Sequence, residues 1–113
     1  MKTRARNIVA RINEGEEVAT STVHFAEVAN LLEGWFPFED AKVIQRGIIA
    51  LDSVRILPTT RQDLVEALAL DLEAGLGTSD ALAVVFMRRE GLGEIYSFDR
   101  DFDRAPGVDR VEE

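Results

Sequence analysis

The chain has 113 residues, of which 46% are hydrophobic and 30% charged, the size and make-up of one domain with room for one core. It holds no cysteine and one histidine, which excludes disulfides, thiolate zinc sites, iron–sulfur clusters, cysteine nucleophiles and multi-histidine metal sites. Thirteen basic against 21 acidic residues leave a net charge of −8. That argues against a binder of polyphosphate by charge alone, although a divalent ion held by converging carboxylates reverses the local field.

The longest apolar run, Ala81 to Met87, is too short for a bilayer, and the basic start Lys2-Thr3-Arg4 leads into charged sequence rather than a signal-type apolar segment. A soluble, cytoplasmic protein is expected. Prolines stand apart at positions 37, 58 and 106, and no repeat or linker tract interrupts the chain, so residues 1–113 read as a single domain.

In chain order, Ala5, Ile8, Val9 and Ile12 are spaced for a helix over 3–14, with Gly15 as its stop. Residues 17–21 predict a short strand. Ser21 or Thr22 then caps a helix to Glu33 whose core stripe is Phe25, Val28, Ala29 and Leu32. A helix from Glu39 to about Leu51 is expected to soften near Gly47. Val54 to Leu57 is a strand closed by Pro58. Thr60 and Asp63 have the spacing of a capping box and open a helix with Leu64, Leu68 and Leu72 on its stripe. A further helix starts at Thr78-Ser79, followed by a strand over 94–98, an acidic turn and a last short strand at 108–111. Strands alternating with helices predict an α/β fold, a three-layer parallel sheet flanked by helices with right-handed crossovers. Sites in such sheets lie beyond the carboxyl ends of the strands, which directs attention to the residues after Ser21 and after Phe98 and to the helix starts.

Each of those places holds an acid. Glu27 is the only charge between Glu17 and Glu33 apart from the titratable His24, and it lies off the helix stripe near His24 and Leu31. A solvated surface glutamate explains it as readily as a site does. Asp80 precedes seven apolar residues in a helix that reads as buried all round; an acid in the first turn is favoured by the helix dipole whether or not it serves a site. Asp99, Asp101 and Asp103 alternate after a strand. Close carboxylates repel unless a cation or Arg100 and Arg104 relieve them, which points to Mg²⁺ or Mn²⁺, and oxygen-only ligation favours those hard ions over zinc. His24 is read as a surface or hydrogen-bonded residue without a catalytic role. The run Trp35, Phe36, Pro37 and Phe38 is read as helix packing, with a partner-binding patch as the other reading.

Three segments together resemble the PIN-domain nucleases, including the VapC-type toxins: Thr20-Ser21 leading to Phe25-Ala26-Glu27-Val28; Ser79-Asp80-Ala81-Leu82-Ala83-Val84; and Tyr96-Ser97-Phe98-Asp99-Arg100-Asp101-Phe102. They occur in the family's order and span about residues 3 to 111. The resemblance implies an endoribonuclease using Mg²⁺ or Mn²⁺, with Glu27, Asp80 and Asp99 as acidic metal-site positions and Asp101 as an auxiliary acid. It implies Ser97 as the family's small hydroxyl; Ser97, Arg100 and Arg104 are the candidate substrate contacts. It also implies an antitoxin partner and a homodimer. The three main carboxylates would then come within about 4 to 8 Å of one another, as ligands of one ion must.

Family members open on a strand with an Asp-Thr-Asn type motif, whereas residues 1–19 carry no aspartate. The expectation is therefore a PIN-like sequence that lacks the first strand and its aspartate, either because its start is lost or misplaced or because it is a shortened relative. A catalytically weak or inactive PIN-like module that binds a protein partner is the alternative. Two other carboxylate families fit less well. A haloacid-dehalogenase-like phosphatase opens its fold on an Asp-x-Asp motif, and only 12 residues follow Asp101. A receiver domain needs a late lysine, and the only lysines are Lys2 and Lys42.

Overall fold

The computed structural model describes residues 2–96 and 107–111, and in it the chain divides into two compact units, Lys2–Pro58 and Thr59–Glu113. In the first unit, α1 (Lys2–Asn13), β1 (Val18–Ser21), α2 (Thr22–Trp35), α3 (Phe38–Ala50) and β2 (Val54–Leu57) follow in order. The second contains α4 (Arg61–Ala74), α5 (Thr78–Glu90), β3 (Glu94–Tyr96) and β4 (Asp109–Val111).

α1 stops where only glycine stops it cheaply. Gly15 adopts φ +104°, and the N–H groups of Gly15 and Glu16 donate to the carbonyls of Ile12 and Arg11, closing the last turn in a Schellman arrangement. The Arg11 guanidinium and Glu16 carboxylate then meet at 3.2 Å across that turn.

β1 and β2 pair in parallel, Val18 opposite Val54 and Ser21 opposite Leu57, with α2 and α3 forming the crossover between them. β3 and β4 also pair in parallel, Glu94 opposite Asp109 and Tyr96 opposite Val111. The parallel pairing and flanking helices agree with the expected α/β class. Each described sheet has two strands.

Two expected stripes differ. On α2, Leu32 is buried and Phe25 and Ala29 half-buried, but Val28 is 40% exposed. The buried side runs Phe25, Ala29, Leu32, Phe36 at steps of three and four residues, and Val28 lies at its edge. On α4, Leu64 and Leu68 are 41% and 54% exposed, whereas Asp63 and Ala67 are buried; the Leu72 side chain is outside the described set. The small Ala67 permits close approach of α5, and the ion pair of Asp63 fixes which face of α4 turns inward. α3 is unbroken at Gly47, which is exposed and costs no packing.

α5 is the core helix of its unit. Ala81, Leu82, Ala83, Val84, Phe86 and Met87 are all buried, as the apolar run predicts. Among the described residues no helix is long and apolar enough to cross a membrane.

Candidate functional site

The carboxyl end of β1 runs directly into α2. Ser21, only 2% exposed, is the last strand residue and the N-cap of the helix, and its Oγ accepts the His24 N–H at 3.1 Å. A serine here satisfies one of the four amide donors that a helix start leaves open. The same Oγ meets His24 Nδ1 at 2.5 Å. The expectation of a hydrogen-bonded histidine holds, but the sequence did not identify Ser21 as its partner. The signal was the spacing, because a side chain three residues after an N-cap returns over the cap.

Glu27 follows His24 by one turn on the same face of α2 and is exposed. The face continues through Leu31, 50% exposed, as the sequence placed it. Further along α2, Glu33 accepts Gln45 Nε2 at 2.9 Å and Lys42 Nζ at 3.0 Å. The Gln45 amide first, then Lys42, hold the Glu33 carboxyl below the usual range. The aromatic run divides between roles. Trp35 and Phe36 are half-buried, with the Arg6 guanidinium 5.7 Å from the centre of the Phe36 ring, while Phe38 is 58% exposed with Lys42 Nζ 4.7 Å above it.

Asp80 stands in the first turn of α5, half-buried. The N-cap Gly77 makes no side-chain hydrogen bond, so this carboxylate is the negative group that complements the partial positive charge at the helix start. Leu76 and Ala81, both buried, occupy the positions of a hydrophobic staple around that cap and fix how the chain enters the helix. The other end of α5 stops at Gly91 in the left-handed region, φ +70°, and is tied to α4 through Arg89.

Ser97, Asp99, Arg100, Asp101, Asp103 and Arg104 lie outside the described residues. Among the described residues no group of three or more histidine, cysteine, aspartate or glutamate side chains is close enough to hold a metal. The structure thus joins Ser21 and His24 at the start of α2, sets Glu27 one turn further along the same face, and sets Asp80 at the start of α5. All of these offer oxygen or imidazole nitrogen. Carboxylate oxygen is the donor type that hard divalent ions take, and Glu27 and Asp80 each supply one, in different compact units.

The fold is similar to that of a chain in a toxin–antitoxin complex from Klebsiella pneumoniae, with a TM-score of 0.60 and 24% identity over 80% of this chain and 71% of that one. No curated protein sequence matches. A family model described as the PIN domain matches residues 2–108, a span that contains the Ser21 cap, Glu27, Asp80 and Asp99. By that match, running through both compact units, the chain belongs to the PIN domain family.

Proposed function

We propose that the chain is a metal-dependent endoribonuclease of a toxin–antitoxin type system, both compact units working as one PIN domain. PIN domains are generally nucleases and typically use divalent metal ions. The observation that carries the reading is Asp80. It is a half-buried carboxylate in the first turn of a helix whose middle, Ala81 to Met87, is packed into the core of its unit, so the scaffold that carries it is rigid.

Glu27, Asp80 and Asp99, with Asp101 in support, would hold Mg²⁺ or Mn²⁺. When bound, such an ion lowers the pKa of water and stabilises charge on phosphate oxygens. The chain's own residues would do the rest: Glu27 on α2 and Asp80 on α5 supply carboxylates, and Ser97, Arg100 and Arg104 are the proposed contacts to the RNA. Hydrolysis of labelled RNA with Mg²⁺ or Mn²⁺, abolished by EDTA, tests the reading. An intact substrate under every divalent ion would remove it.

An antitoxin partner and a homodimer belong to the same proposal. The solved relative is part of a toxin–antitoxin complex. Support also comes from the apolar side chains that this chain leaves outside: Leu31, Phe38, Val43, Ile49, Val65 and Leu68 are each at least half exposed. Sedimentation that finds only monomer at high concentration would exclude the homodimer.

A further inference from the structure

α4 carries apolar side chains on two sides. Asp63 and Ala67 are buried and Leu70 is half-buried where the helix packs on α5. Leu64, Val65 and Leu68 stand on the other side, 41%, 54% and 54% exposed. Their steps of one, three and four residues keep them on one stripe, and in sequence Leu72 repeats the spacing for another turn. A surface helix ordinarily turns polar groups outward, so a second apolar stripe marks an interface.

The charges of α4 indicate what fits that stripe. Arg61 stands exposed in the first turn, while the last turn holds Asp71 and Glu73 and no basic residue. All three oppose the helix dipole, which favours anions at the amino end and cations at the carboxyl end. A second α4 lying antiparallel brings each end against its complement. The register agrees: a pairing that sets Leu64 of one protomer opposite Leu68 of the partner subunit is centred on residue 66, and it also sets position 61 opposite position 71, an arginine against an aspartate. A parallel pairing would set arginine against arginine.

We propose that the outward stripe of α4 is the self-association surface of this protein, two copies pairing their α4 helices antiparallel about a two-fold axis at residue 66. The inference rests on the homodimer of the preceding reading and is independent of the nuclease chemistry. A helix of 14 residues, about 21 Å long, buries less than the roughly 1,200 Å² of a stable interface, so the dimer is weak and reversible.

Sedimentation equilibrium of the full chain over a wide range of concentration reads the dissociation constant. Leu68→Glu puts a charge into the stripe of both copies and should leave only monomer, while melts of the dilute protein should match the parent because that side chain is already exposed. Arg61→Glu and Asp71→Arg should each weaken the dimer about tenfold, since each sets like charges together at two symmetry-related places. Both changes favour the helix dipole, so neither variant should lose its fold. Mixing the two variants should restore association to near the parent value, because opposite charges then face each other at both ends of the mixed pair.

A dimer that ignores Leu68→Glu, or charge variants that associate no better mixed than alone, would overturn the α4 pairing and leave the homodimer to another surface. A parent protein that stays monomeric at every concentration would remove the homodimer and the pairing together.

Discussion

The Asp63 carboxylate ties the amino end of α4 to the last turn of α5: one oxygen accepts the Thr60 N–H at 2.9 Å and the other accepts Arg89 Nη1 at 2.7 Å. Thr60 Oγ1 in turn accepts the Asp63 N–H at 3.2 Å, completing a reciprocal capping box. Asp63 is 2% exposed, and Arg89 also lies 4.6 Å over the Phe86 ring, so the pair holds together the helix that carries Asp80.

Asp63→Ala should lower stability by about 2 kcal/mol, because it removes a cap and a buried hydrogen-bonded carboxylate together. Arg89→Ala should cost about 1 kcal/mol or less, since that side chain is half exposed. Urea denaturation of the two single variants and the double variant measures both losses and their coupling.

The same residue predicts a pH dependence. The Thr60 N–H first, then Arg89, hold the Asp63 carboxyl below its usual range. A lowered folded value means that the ionised form is favoured by folding. Its contribution is therefore fully present above the ordinary aspartate pKa of about 3.9 and is lost as pH falls through the lower folded value. The stability gap between the parent and Asp63→Asn should be constant from neutral pH to just above that range and should shrink below it. A gap that widened on acidification would contradict the assignment.

Two glycines should respond with opposite sign. Gly91→Ala forces a side chain into the left-handed region at φ +70° and should cost about 1 kcal/mol. Gly47→Ala meets nothing within 4 Å on an exposed helix face and should stabilise by about 0.5 to 1 kcal/mol. Thermal melts of the pair read both changes.

For the proposed chemistry, Glu27→Gln, Asp80→Asn and Asp99→Asn should each lower RNA cleavage by about 100-fold or more, as each removes a charged ligand at nearly constant volume. Asp103→Asn should matter less. Changes at Arg100 or Arg104 should weaken RNA binding and reduce its salt dependence. Cleavage that survives loss of both Asp80 and Asp99 would remove the proposed mechanism.

What the sequence determined by itself is local. Gly15 at a helix stop, Ser21 at a helix start, the Thr60–Asp63 box and the apolar run after Asp80 all act within a few residues, so spacing alone identifies them, and the element order with its parallel class follows. The acid positions Glu27 and Asp80 were legible because a charge beside an apolar stripe is visible in one dimension. Decisions between distant residues were not. Arg89 reaches Asp63 across 26 positions, and that contact, with the small Ala67, turns α4 so that Leu64 and Leu68 face outward. Likewise Val28 satisfies the helical period of its stripe yet stays 40% exposed. Periodicity states which side chains share a face; which part of that face is covered depends on the shape and charge of what packs against it, and that only the tertiary structure decides.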